Sequence, residues 1–115
     1  RTVYEIVKES QRAGLAVVRP QKTCKSVDEL CRKIIETHHY GPHFIHSTGH
    51  GIGLDVHESP NITSKSTTKL KKDMAVTVEP GIYIPNKFGV RIEDSVIVRD
   101  RPIIMHKFTK DLVVI

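Results

Sequence analysis

The chain has little with which to build a disulfide scaffold, a membrane span or an aromatic binding platform. Only two of its 115 residues are cysteines and only 5% are aromatic. Cys24 and Cys31 stand seven apart around a predicted helix start. Cys31 falls on that helix's apolar face, so a small buried thiol is expected there and a disulfide is not. Such cysteine usage fits a cytoplasmic protein. No stretch nears the roughly 20 apolar residues that cross a bilayer. A signal peptide is not expected, because the first residues read as helix rather than as a basic segment with an apolar run. An opening Arg1-Thr2 without methionine suggests a start within a longer protein. The few aromatic residues do not alternate with basic ones, which argues against a surface for single-stranded nucleic acid. A net charge of +5 is scattered, apart from Lys65, Lys69, Lys71 and Lys72 in a Ser/Thr-rich loop. It reads as a solvated surface.

What is present suffices for one domain or part of one, with 38% apolar residues to fill a modest core. Val3, Tyr4, Ile6, Val7, Ala13, Leu15, Ala16 and Val17 predict a helix over 3–18, ending before Pro20. Ser26 with Glu29 forms a capping box. Val27, Leu30, Cys31, Ile34 and Ile35 then predict a helix over about 27–38, stopped by Gly41. Beyond it the period changes. His43 to Ser47 reads as a short strand, and Gly49, Gly51 and Gly53 as an irregular turn. Leu54 to His57 reads as extended, and Pro60 opens a polar loop to about residue 72. Met74 to Glu79 is a β-branched strand, followed by turn signals at Pro80-Gly81 and Pro85-Asn86. Val90 to Val98 alternates as one strand, with Val90, Ile92, Asp94, Val96 and Val98 facing one way. Final strands are expected at 103–106 and 111–115. Helices followed by strands make an α+β chain.

Three polar clusters interrupt this apolar strand context. They are His46-Ser-Thr-Gly-His50-Gly-Ile-Gly-Leu-Asp-Val-His57-Glu58, Val78-Glu79-Pro80-Gly81, and Val90-Arg91-Ile92-Glu93-Asp94. A carboxylate within a Val/Ile/Thr strand must face open solvent or be compensated by a cation. If the strands of Glu79 and Glu93 are neighbours, both carboxylates can aim at one point. A divalent ion such as Mn²⁺, Co²⁺ or Zn²⁺ suits converging Glu and His. The glycines around His50 would let backbone approach that point. Spacing alone leaves the bland alternative open: histidines held in ordinary hydrogen bonds, a solvated Glu, and a surface pair of Arg91 with Glu93. His38, His39, His43 and His106 carry that ordinary reading. A generic His-Glu-x-x-His metal motif is absent.

The strings Phe44 to Pro60, Met74-Ala-Val-Thr-Val-Glu-Pro-Gly-Ile-Tyr-Ile84 and Gly89-Val-Arg-Ile-Glu-Asp94, in that order, resemble the pita-bread metallopeptidases. That family comprises methionine aminopeptidase, aminopeptidase P, prolidase and creatinase. The chain looks like its C-terminal half, 1–115, without the N-terminal half. The form Gly-Val-Arg91-Ile-Glu looks like the prolidase and aminopeptidase P branch. The resemblance implies two helices followed by a curved, mainly antiparallel sheet. It implies metal-dependent hydrolysis of an Xaa-Pro bond in peptides with proline second, with two divalent ions in the intact enzyme. By the same resemblance His50, Glu79 and Glu93 match metal ligands, and Glu79 also handles the proton of the attacking water. His57 matches the histidine at the substrate carbonyl, His46 a substrate-binding and catalytic histidine, and Arg91 a residue that orients substrate or Glu93.

The family's site has five protein ligands, two of them aspartates upstream of Arg1-Thr2. Asp55, Asp73 and Asp94 do not stand in that motif. Two dications facing only Glu79 and Glu93 would be two charges short, so the 115 residues alone are expected to bind at most one ion, weakly, and to be inactive. A half-fold would also leave an apolar face, implying self-association or a partner carrying the first half. Alternatives are a methionine aminopeptidase-like enzyme and a non-catalytic pita-bread binding module. Neither membrane nor nucleic acid is expected as partner.

Overall fold

A computed structural model of the chain describes residues 2–53, 58–105 and 110. Helix α1 spans Val3–Ala16, capped by the Thr2 side chain, which accepts from the Glu5 amide. Its buried face is Ile6, Val7, Ser10, Gln11, Gly14 and Leu15. Helix α2 spans Cys24–Thr37, so it starts three residues before the predicted position. Thr23 is the N-cap, accepting from the Ser26 amide, while Ser26 lies inside the first turn and donates back to the Thr23 carbonyl. Sequence spacing favoured the wrong one of two hydroxyl residues three positions apart, since either can satisfy a helix's orphan amides. Both cysteines lie on α2, free and buried. Ser10 and Cys31 tie the two helices by exchanging hydrogen bonds with each other's carbonyls.

Two sheets follow, all pairings antiparallel. Strands β1 (Gly49–Gly51), β2 (Glu58–Ile62), β3 (Ala75–Val78), β6 (Asp94–Ile97) and β7 (Ile103–Ile104) form one sheet in the order β2-β1-β3-β6-β7. Strands β4 (Gly81–Ile84) and β5 (Phe88–Arg91) form the second. The core lies between the helices and the larger sheet, where Ile6, Val7, Val27, Cys31, Ile35, Val76, Val78 and Val96 are buried together.

Several predicted strands move. Residues 43–47 are not a strand: Gly41–His43 is a 3₁₀ turn and the following residues are irregular. The supposed glycine turn is instead β1, and Pro60 lies within β2 rather than opening a loop. Glycine reads as a breaker, but here it lets β1 press against β3. A side chain at Gly49 would meet the Thr77 carbonyl oxygen at 1.8 Å. The predicted strand over 90–98 is two strands in different sheets, separated at Ile92-Glu93. Its alternation survives the break, with Asp94, Val96 and Val98 buried and Arg91 and Glu93 exposed. The expected extended stretch 54–57, residue 106 and the last predicted strand fall outside the described residues. Ile103–Ile104 is observed as β7.

Candidate metal centre

The chain leaves the large sheet after Val78 and returns to it at Asp94, and between those points it builds β4 and β5. The pairing register nevertheless runs unbroken, from Ala75 opposite Ile97 through Val78 opposite Asp94 to Gly81 opposite Arg91 and Ile84 opposite Phe88. Glu79 and Glu93 therefore occupy facing positions at the seam between the sheets. Cross-strand neighbours approach within about 5 Å, which brings two carboxylates together without any long-range coincidence. His50 arrives from the other side. On β1 it stands next to Gly51, which pairs with Val76 of β3. Its amide donates to Thr77 Oγ1, and the Glu79 amide donates to the Thr48 carbonyl. A register irregularity between His50 and Gly51 re-aims the backbone there, as bulges near functional sites do.

The three side chains converge. One donor atom from each of His50, Glu79 and Glu93 lies within 4.8 Å of the others. The His50 ring places Nδ1 2.8 Å from the Gly51 carbonyl oxygen. A carbonyl only accepts, so Nδ1 carries a proton there and Nε2 is the nitrogen turned towards the carboxylates. Nε2 sits 3.4 Å from Glu79 Oε2, and that oxygen is buried with no hydrogen-bond donor among the described residues. A buried carboxylate oxygen without a hydrogen-bond donor is tolerated only beside a positive charge, either a proton on the His50 ring or a bound cation. Partial burial, and then the neighbouring Glu79 carboxylate, push the Glu93 carboxyl above its ordinary value. All three observations fit a divalent ion, and one imidazole with two carboxylates suits a hard or borderline one.

The surrounding residues differ in how far they match expectation. Arg91 Nη1 lies 3.9 Å from Glu79 Oε1, so it flanks Glu79, and its charge also lowers the Glu93 carboxyl against the stronger effects of burial and Glu79. His46 is half-buried beside the site. Its Nδ1 donates to the Ser47 carbonyl at 2.7 Å, and the Tyr83 hydroxyl lies 2.9 Å from Nε2. His57 falls outside the described residues. Asp94 turns away from the site into a buried contact with Gln11, 2.8 Å from its Nε2, and Lys110, and Asp73 pairs with Arg99. His38 approaches Glu9 and His43 lies near Tyr40, in keeping with ordinary roles. Sequence reasoning passed over Tyr83, although it closes the Glu79-Pro-Gly-Ile-Tyr string. It also passed over Asp28 and Arg32, a charged pair at helical spacing whose acid faces the core.

One imidazole and two carboxylates gathered at the seam of an antiparallel sheet mark this chain as a candidate metalloprotein. It belongs to metallopeptidase family M24, whose family model matches residues 1–100. It is 48% identical over 100 residues to an Xaa-Pro dipeptidase of Pyrococcus furiosus, covering 87% of this chain and 29% of that protein. The solved Xaa-Pro dipeptidase from Bacillus anthracis superposes with a TM-score of 0.95 at 46% identity, over 98% of this chain and 32% of that one. X-Pro aminopeptidase from Thermotoga maritima MSB8 does so with a TM-score of 0.91 at 39% identity, over 95% and 31%. The chain thus spans less than a third of the length of these relatives. Two helices before a mainly antiparallel sheet, the arrangement expected of a pita-bread half, are observed. No helix of the described residues is long and apolar enough to cross a membrane.

Proposed function

We propose that residues 1–115 form the C-terminal half of a catalytic domain that hydrolyses Xaa-Pro bonds, with its remaining metal ligands supplied from outside these residues. The convergence of His50, Glu79 and Glu93 carries this reading, and the dipeptidase and aminopeptidase relatives give the substrate class. In the intact enzyme His50 Nε2 and the two carboxylates hold divalent ions, for which Mn²⁺ is our first choice. Such ions supply Lewis-acid polarisation of the scissile carbonyl and activation of water. Glu79 takes the proton of the attacking water and passes it towards the leaving imino nitrogen. Arg91 holds the Glu79 carboxylate in place, His46 binds substrate beside the scissile bond, and His57 steadies the developing charge on the carbonyl.

The charge balance of the site separates fragment from enzyme. Two carboxylates neutralise one dication and leave a second uncompensated, so residues 1–115 alone bind at most one ion, weakly, and do not turn over substrate. The apolar side chains exposed here, Ile45, Phe88, Ile103, Ile104 and Met105, favour self-association or pairing with the first half. The deciding assay gives the full-length protein Gly-Pro, Ala-Pro and a Met-Ala peptide with Mn²⁺. Hydrolysis of the proline substrates, abolished by a chelator and by Glu79→Gln, is expected. Preference for Met-Ala would move the protein to the methionine aminopeptidase branch, and no hydrolysis at all would leave a binding module.

A further inference from the structure

Asp28 sits on α2 with no solvent exposure, where a carboxylate is tolerated only if donors surround it. Arg32, one turn on, supplies two: Nε and Nη2 lie 3.1 Å from Oδ2 and Oδ1. The Thr48 hydroxyl donates a third bond at 2.8 Å. The guanidinium does more than neutralise Asp28. Nη1 donates to the Phe44 carbonyl at 2.9 Å and Nη2 to the His46 carbonyl at 3.0 Å. The same group lies 4.0 Å above the centroid of the Phe44 ring, which packs edge-on against the His46 imidazole. Residues 44–48 have no strand pairing of their own, so one planar fork holds the carbonyls of Phe44 and His46, the residues on either side of Ile45. The Thr48 carbonyl then accepts the Glu79 amide at 2.7 Å.

We propose that Arg32 is a positioning residue for the site, fixing the His46 imidazole against Tyr83 and, through Asp28 and Thr48, the backbone of Glu79. The assignment deepens the Xaa-Pro reading, on which its kinetic consequence rests, but the placement of His46 can be measured without it. Only a guanidinium has the geometry: a lysine ammonium is a point charge and cannot grip a carboxylate side-on while donating to two carbonyls. The His46 ring reports the clamp directly. With Nδ1 donating to the Ser47 carbonyl, Nε2 of the uncharged form is the nitrogen left to accept from the Tyr83 hydroxyl, so that form is held in one tautomer. If the peptide at residue 46 is released, the ring loses that pair of partners and its tautomers exchange.

The test is made in the full-length protein, labelled with ¹⁵N-histidine and kept metal-free for spectroscopy. Wild type should give two well-separated imidazole nitrogen signals for His46, identified by their loss in His46→Ala. Arg32→Lys, which keeps a charge beside Asp28, should draw them together, and in the Mn²⁺-loaded enzyme should raise KM for Ala-Pro about tenfold with kcat much less affected. Asp28→Asn, which keeps the side-chain volume, should shift the signals in the same sense and stands in if Arg32→Lys does not fold. Unchanged His46 signals in a folded variant overturn the proposal, even if its unfolding temperature falls, because a merely structural pair would do only that. A KM equal to wild type in an active enzyme overturns it as well. A wild-type protein inactive on Ala-Pro, with the Arg32→Lys signals shifted, instead sinks the Xaa-Pro reading and leaves the positioning role standing.

Discussion

Cys31 shows how burial alone sets a residue's chemistry. Wholly buried between α1 and α2, its thiol is pushed from an ordinary 9.0 up to about 12, chiefly because a thiolate there would be desolvated. A raised pKa in the folded state contributes stability that is intact below pH 9 and lost as pH climbs towards 12. We therefore expect iodoacetamide at about pH 8, below the ordinary thiol range, to leave Cys31 unmodified in native protein and to alkylate it in denaturant. Modification of native protein at the rate of a free thiol would contradict the packing. This buried thiol was readable from its place on the apolar stripe of the helix. Glu79 and Glu93 stood out as carboxylates in apolar strands, but spacing left an ordinary reading open, and only the family resemblance grouped them with His50 as metal ligands. Tyr83, Asp28 and Arg32 did not stand out, because their importance lies in partners 37, 20 and 14 residues away, and no local pattern records such distances.

At the scale of elements, the sequence showed where chain is regular but not where it changes partners. The alternation from Val90 to Val98 is real, yet it spans two sheets, because period-2 alternation continues through a seam that keeps its register. That seam sets Glu79 opposite Glu93. The start of α2 was misplaced between Thr23 and Ser26, and the difference can be measured. Thr23→Ala removes the acceptor for the Ser26 amide and should lower stability by about 1 kcal/mol, read as a shift in denaturant midpoint with unchanged slope. Ser26→Ala should cost distinctly less; the reverse order would restore the predicted capping box. Gly49 offers a sharper case. An alanine methyl would strike the Thr77 backbone, which cannot rotate aside as a side chain can, so β1 must separate from β3. A loss of about 3 kcal/mol is expected for Gly49→Ala, accompanied by weaker metal binding because His50 rides on the displaced strand.

For the molecule as a whole, the site is a place where stability and metal binding oppose each other through protons. The Glu93 carboxyl is raised by partial burial and by Glu79, so in metal-free protein its contribution to stability is present below the ordinary carboxyl value of 4.5 and declines as pH rises through the elevated folded value. Ionised Glu93 beside Glu79 is thus a cost that the metal-free fold carries at neutral pH. A divalent ion reverses the balance, since it requires the ionised carboxylates and stabilises only the folded form by mass action. The expectation for full-length protein is that Mn²⁺ raises the unfolding temperature more at about pH 7.5 than at about pH 5, where protons compete for the carboxylates. Glu93→Gln should behave oppositely: it should stabilise the metal-free protein near neutral pH, because a neutral amide ends the carboxylate repulsion, and should largely remove the Mn²⁺-induced rise. Calorimetry with and without a chelator reads both quantities. Should Glu93→Gln destabilise metal-free protein while leaving the Mn²⁺ response intact, the two carboxylates would not be sharing an ion, and the centre would have to be sought elsewhere.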